Sequence, residues 1–124
     1  MPENKKTILV VEDDPVLSVM YKTKLEAEGY TIFTAANGVE ALAEAKAEKP
    51  DLILLDIILP QLDGFSVLEE LKDDTKTKKI PVIMLTNLGT DEDREKGQKL
   101  GAVDYLVKAN YTPEQISSEI KKFL

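Results

Sequence analysis

The sequence contains no cysteine and no histidine. Without cysteine there is no disulfide framework, no thiolate nucleophile and no sulfur ligand. Without histidine the commonest general base near neutral pH and the commonest transition-metal ligand are both missing. The chain therefore cannot itself carry a phosphohistidine. Any metal it binds must be held by oxygen, which points to Mg2+, with Mn2+ as the other candidate. Positive charge is also short: 16 Lys and Arg stand against 23 Asp and Glu, a net charge of −7, which argues against direct nucleic-acid binding. No apolar run approaches the roughly 20 residues needed to cross a bilayer, so no membrane insertion is expected. The start, Met1-Pro2-Glu3-Asn4-Lys5-Lys6, has two lysines, but the apolar run behind it soon meets acids. It does not read as a signal peptide, and a cytoplasmic address is the default expectation. There is no tandem repeat or long low-complexity tract, and Lys76, Lys78 and Lys79 read as solvated loop surface.

What is present fits one domain over residues 1–124, with 43% hydrophobic residues to build a core. The central stretch is Asp51-Leu52-Ile53-Leu54-Leu55-Asp56. Four consecutive aliphatics bounded by turn signals read as a strand buried on both faces of a parallel sheet. Asp56 stands where that strand leaves the core, and Pro60 and Asp63-Gly64 mark the loop beyond it.

The rest of the chain alternates in the same way. Thr7–Val11 reads as a first strand, followed by a helix from Asp14-Pro15 to about Glu28, with an acidic cap, proline in the first turn and Gly29 as its stop. Its expected inner side is Leu17, Met20, Tyr21 and Leu25. Thr31–Ala35 is a second strand. Asn37-Gly38 opens a second helix, with Val39, Ala41, Leu42, Ala45 and Ala43 as candidate core positions and Pro50 as its close. A third helix, from about Phe65 to Lys72, turns Phe65, Leu68 and Leu71 inward. After a polar loop, Asp73 to Lys79, Pro81 starts the fourth strand, in which Val82–Leu85 is continuously apolar and Thr86 stands at the end. The fourth helix, Asp91–Leu100, has almost no apolar stripe and contains Gly97, which costs roughly 1 kcal/mol relative to alanine. Val103–Val107 is the fifth strand. Thr112-Pro113-Glu114-Gln115 is a capping-box start for a last helix carrying Ile116, Ile120 and Phe123 or Leu124. Strands alternating with helices mean an α/β fold, with a parallel sheet covered on both faces. In such folds ligands bind beyond the carboxyl ends of the strands, at the point where the strand order reverses.

Those ends bring together Glu12 and Asp13 from strand 1, Asp56 from strand 3, Thr86 followed by Asn87 from strand 4, and Lys108 from strand 5. Three carboxylates in one place repel unless a cation joins them. Mg2+ would take oxygens from Asp13 and Asp56, a backbone carbonyl just after Asp56, and waters; the longer Glu12 can hold a metal-bound water. A carboxylate, a metal, a hydroxyl and a lysine suit phosphoryl transfer. Asp56 would be the nucleophile, Thr86 would donate to a phosphoryl oxygen, and Lys108 would neutralise charge. Asp14 reads as a helix cap only.

Val10-Val11-Glu12-Asp13-Asp14, Leu54-Leu55-Asp56 with Pro60 and Asp63-Gly64, Leu85-Thr86, and Gly101-Ala102-Val103-Asp104-Tyr105-Leu106-Val107-Lys108 together resemble the receiver domain of bacterial two-component response regulators, of the chemotaxis-regulator type. The resemblance covers about Lys6 to Leu124. It implies a doubly wound five-stranded parallel sheet, flavodoxin-like, in strand order 2-1-3-4-5. It implies that Asp56 accepts a phosphoryl group from a phosphohistidine on a sensor histidine kinase or histidine phosphotransfer protein. Glu12 and Asp13 match the acidic pair around Mg2+, and Ile58 the residue whose backbone oxygen completes the metal shell. Thr86 matches the hydroxyl drawn to the phosphoryl group, Lys108 its lysine partner, and Tyr105 an aromatic that moves between outward and inward positions. From its chemistry alone, Tyr105 is equally a core aromatic at the sheet edge.

The expected role is thus a signalling switch that gains its phosphoryl group from donors and loses it by self-dephosphorylation. It would act on a downstream protein through the face of helix 4, strand 5 and helix 5, as a monomer or a weak phosphorylation-dependent dimer. The chain ends with its last helix and shows no linker signature at Pro2 and the polar start, which favours a stand-alone receiver over one excised from a longer protein. Two departures from the family pattern stand out. Ala109 follows Lys108 where proline after a cis bond is usual, leaving cis and trans both open. Asn87 stands where a small residue is usual, and an altered phosphoryl lifetime is expected. A phosphorylation-independent scaffold is the alternative. A flavin module is disfavoured because Glu12-Asp13-Asp14 would repel its phosphate, and a hydrolytic phosphatase because no dedicated base is visible.

Overall fold

The computed structural model describes residues 5–124; the polar start read at Met1–Asn4 lies outside the described residues. Five strands, β1 (Thr7–Val11), β2 (Thr31–Ala35), β3 (Leu52–Leu55), β4 (Val82–Thr86) and β5 (Asp104–Val107), alternate with α1 (Pro15–Ala27), α2 (Gly38–Glu48), α3 (Gly64–Asp73), α4 (Asp91–Lys99) and α5 (Pro113–Lys121). All four strand pairings are parallel, and the sheet order is β2-β1-β3-β4-β5. This is the doubly wound, flavodoxin-like arrangement. The order reverses between β1 and β3, which opens a crevice at their carboxyl ends.

Strand alternation sorts the core into two layers. On one face Leu9, Val11, Ile53, Leu55, Val82 and Met84 pack with Ala41 and Ala45 of α2 and Phe65, Val67, Leu68 and Leu71 of α3. On the other, Ile8, Val10, Leu52, Leu54, Ile83 and Leu85 pack with Tyr21 and Leu25 of α1 and Ile116 and Ile120 of α5. The central strands β3 and β4 are buried at every position, which is why they read as continuous apolar runs.

The helix starts follow their caps. Asp14, Asn37, Asp63, Thr90 and Thr112 each accept hydrogen bonds from first-turn backbone amides, and Thr112 with Gln115 forms the full capping box. Gly29 ends α1 at φ +100°, a conformation that side chains disfavour.

Three expected core positions are not in the core. Met20, Val39 and Ala43 are exposed. In α1 the row facing the sheet is Leu17, Tyr21 and Leu25, spaced by four, and Met20 lies beside it. In α2 it is Gly38, not Val39, that faces inward: a Cβ there would meet the Leu62 carbonyl oxygen at 2.2 Å. Thr77, within the polar loop, is buried and donates from Oγ1 to the Leu71 carbonyl at 2.7 Å. No helix among the described residues is long and apolar enough to cross a membrane.

Gly64 is the tightest approach. A Cβ on it would lie 2.1 Å from the Asp56 carbonyl oxygen and 2.6 Å from Ile57 Cα, both backbone atoms. Gly64→Ala should therefore lower stability by about 1–3 kcal/mol or more through overpacking, measured as a fall in the urea midpoint. An unchanged midpoint would show that the loop after β3 can move away freely.

Candidate functional site at the β1/β3 crevice

The register sets the site. Val11 pairs with both Ala35 and Leu55, so β1 and β3 end level with each other. The Asp56 amide donates to the Val11 carbonyl at 3.1 Å and the Glu12 amide to the Ala35 carbonyl at 3.0 Å. These bonds carry the sheet pairing one residue past the strands and hold both acids by their backbones. Asp56 and Glu12 are buried, while Asp13 is exposed. One carboxylate oxygen from each of Glu12, Asp13 and Asp56 lies within 4.8 Å of the others.

Each oxygen of Asp56 has a fixed partner. Oδ1 accepts from the Ile57 amide at 2.7 Å and the Ile58 amide at 3.3 Å. Oδ2 accepts from Lys108 Nζ at 2.7 Å. Lys108 Nζ also donates to Glu12 Oε1 at 2.5 Å, and Glu12 Oε2 takes the Asp14 amide at 3.1 Å. Burial drives the Glu12 carboxyl above its ordinary pKa, against the pull of Lys108 and the Asp14 amide. Burial pushes the Lys108 ammonium the opposite way, but its hydrogen bonds to Asp56 and Glu12 prevail and its pKa is raised.

The chain holds Lys108 without a cis bond: no peptide bond among the described residues is cis. Lys108–Ala109 is trans, and Lys108–Asn110 forms a 3-10 turn between β5 and α5. Thr86 is fully buried at the end of β4, and its Oγ1 accepts from the Leu88 amide at 3.3 Å. Asn87 beside it is exposed. Ile58 exposes 59% of its surface at the rim. Tyr105 is turned into the protein on the α4 side of the sheet, and its hydroxyl donates to the Leu88 carbonyl. Burial, then the charge of Asp93, pushes that hydroxyl up to about 12, against the nearby Arg94.

Asp14 caps α1 through Val16 and Leu17 at 2.9 and 3.3 Å. Asp63, read only as part of a turn, caps α3 through Phe65 and Ser66 at 2.9 and 3.1 Å. With Gly64 it fixes the loop that returns past Asp56. An Asp directly before the apolar run of α3 is the cap signal that finds it.

Three carboxylates from two adjacent strands form an oxygen-only donor set of the kind that holds a divalent cation. The cluster sits beside a lysine and a buried hydroxyl at the end of a parallel sheet, and residues 8–121 match the response regulator receiver domain family. The chain belongs to the receiver-domain family of two-component response regulators. It is 44% identical over 124 residues to the probable transcriptional regulator ycf27 of Cyanophora paradoxa, covering 100% of this chain and 50% of that protein. It is 40% identical over 121 residues to the alkaline phosphatase synthesis transcriptional regulatory protein PhoP of Bacillus subtilis, covering 98% and 49%. The chain thus spans about half the length of these relatives. Among solved structures, the Vibrio cholerae chemotaxis protein CheY4 superposes with a TM-score of 0.90 at 31% identity, covering 97% of this chain and 99% of that one. The acidic cluster is the phosphoacceptor site of a receiver domain.

Lys108 is the cation that joins the two buried carboxylates. Lys108→Met should destabilise the metal-free receiver by about 3–5 kcal/mol near neutral pH, because Glu12 and Asp56 lose their shared partner. A raised lysine pKa contributes stability that is complete below the ordinary value of 10.5 and is lost as pH rises through the higher folded value. The gap between the two proteins should therefore hold from neutral pH up to 10.5 and narrow above it. Urea melts across that range check this, and a gap absent at neutral pH would contradict it.

Proposed function

We propose that this chain, as one receiver unit over residues 1–124, is a Mg2+-dependent phosphoacceptor switch. Asp56 receives the phosphoryl group from a phosphohistidine on a sensor histidine kinase or histidine phosphotransfer protein, in the cytoplasm. The observation that carries the reading is the double hold on Asp56: two backbone amides on one oxygen, Lys108 on the other. A carboxylate so fixed is pre-oriented for attack at phosphorus, and positioning supplies much of the rate in phosphoryl transfer. An Asp56 oxygen forms the new bond as the donor's P–N bond breaks, and its electron pair leaves with the imidazole.

Glu12, Asp13, Asp56 and the backbone carbonyl of Ile58 would hold Mg2+ (or Mn2+). The bound ion supplies charge neutralisation for the phosphoryl oxygens. Lys108 supplies a second positive charge, and Thr86 Oγ1 a hydrogen-bond donor from the end of β4. Tyr105 links that end to α4. The acyl phosphate on Asp56 then adds charge and acceptor oxygens, drawing Lys108 and Thr86 toward it and altering the face of α4, β5 and α5. A downstream protein reads that face. A shallow cavity of about 290 Å³ lined by Arg94, Val103 and Tyr105 lies there. The four-carbon arm of Lys108 reaches Asp56 with a trans bond behind it, so Ala109 is compatible with the switch.

Incubation with Mg2+ and acetyl phosphate should give a hydroxylamine-labile gain of one phosphoryl group by intact mass. The gain should be absent in Asp56→Asn and after chelation of Mg2+. Failure with acetyl phosphate and also with a phosphohistidine partner would replace the switch with a phosphorylation-independent scaffold.

A further inference from the structure

Among the described residues of α4, Gly97 is the buried one. The rest of that helix is polar and exposed or half-buried, so it lacks the apolar stripe that seats a helix on a sheet. Its seat is instead the bare backbone of Gly97 against an aromatic ring. A Cβ at 97 would lie 3.2 Å from Tyr105 Cδ2, 3.5 Å from Tyr105 Cε2 and 3.5 Å from Met84 Cγ. One turn earlier, the Arg94 guanidinium lies 5.4 Å from the centre of the same ring, within the range of a cation–π contact. Glycine and arginine at spacing three thus present one face of α4 to Tyr105.

The ring passes this contact on. Its hydroxyl donates to the Leu88 carbonyl. The amide of the same Leu88 donates to Thr86 Oγ1 at 3.3 Å. Both polar groups of one peptide-linked residue are therefore used, one toward Tyr105 and one toward the buried hydroxyl at the reaction site. The path from α4 to Thr86 consists of one packed ring and two hydrogen bonds.

We infer that Gly97 and Arg94 are positioning residues for phosphoryl transfer: by seating Tyr105 they hold the Leu88 peptide, and through it the Thr86 hydroxyl, in place for the reaction at Asp56. The inference rests on the phosphoacceptor reading above. It gives Gly97 a use that offsets its poor helix propensity, since an alanine there would favour the helix by about 1 kcal/mol but crowd the ring. It also explains how a helix with so little apolar surface can be coupled to a site at the strand ends.

The test is a double-substitution cycle on the whole chain. Gly97→Leu should displace the ring and slow phosphorylation of Asp56 by acetyl phosphate by about three- to tenfold. Arg94→Gln should slow it in the same direction by less, with Arg94→Lys retaining part of the effect. In a Tyr105→Ala background the space is vacant, so Gly97→Leu should cause no further loss of rate. Gly97→Ala serves if the leucine variant does not fold. Amide shifts of Thr86 and Leu88, recorded without phosphodonor, should move in Gly97→Leu and not when the same change is made on Tyr105→Ala.

Additive losses of rate, or a displaced ring with unmoved Thr86 and Leu88 amides, would overturn the inference. If the unaltered chain takes up no phosphoryl group from acetyl phosphate or from a phosphohistidine partner, the phosphoacceptor reading itself fails. The Thr86 and Leu88 shifts then still decide whether Gly97 and Arg94 set this loop.

Discussion

Crowding of negative charge at the reversal between β1 and β3 is the constraint on which the site depends. The register brings both strands out level at Val11 and Leu55, so the acids that follow, Glu12 and Asp56, are held by main-chain bonds and cannot retreat from one another. Asp13 adds a third carboxylate at the rim. Buried anions so close must be joined by a cation. Lys108 is one, reaching across from β5 past the end of β4 to touch two of the three. It leaves Asp13 to the solvent side, where a further oxygen-seeking ion would be drawn.

This arrangement connects distant parts of the chain. β5 must lie beside β4, and α5 must anchor behind it through Ile116 and Ile120, for the lysine to arrive. The loop after β3 must close over Asp56, which the Asp63 cap and the bare Gly64 backbone allow. The loop after β4 must hold Thr86, which Leu88 and Tyr105 do from the α4 side of the sheet. The ends of β1, β3, β4 and β5 therefore each contribute a group whose placement depends on packing elsewhere.

Much of this was legible in the sequence because it is local. The buried runs Leu52–Leu55 and Val82–Leu85 announce central parallel strands, the acids and lysine follow directly on strand ends, and caps such as Asp14-Pro15 and Thr112 to Gln115 mark helix starts. The strand order came from the family resemblance rather than from the periodicity. What was not legible depends on approach between segments far apart in sequence. Gly64 under the Asp56 carbonyl, Gly38 under Leu62 and Gly97 under Tyr105 look like ordinary turn or helix-weakening glycines until the opposing surface is present. Met20 and Val39 look apolar enough for the core, but the helices turn other rows inward. At Lys108–Ala109 trans is the ordinary geometry of a non-proline peptide, but that Lys108 still reaches the site with it shows only in the loop path, a 3-10 turn.

If the acidic cluster is neutralised by Lys108 on one side and by a divalent ion on the Asp13 side, Mg2+ should stabilise the folded chain. A Mg2+ titration of thermal stability, run beside Asp13→Asn, tests it most directly. A saturable rise in Tm with Mg2+ is the expected result for the unaltered chain, as when a ligand binds only the folded state, with a much weaker rise in the variant. A Tm that does not respond to Mg2+, or that responds equally in both proteins, would contradict it.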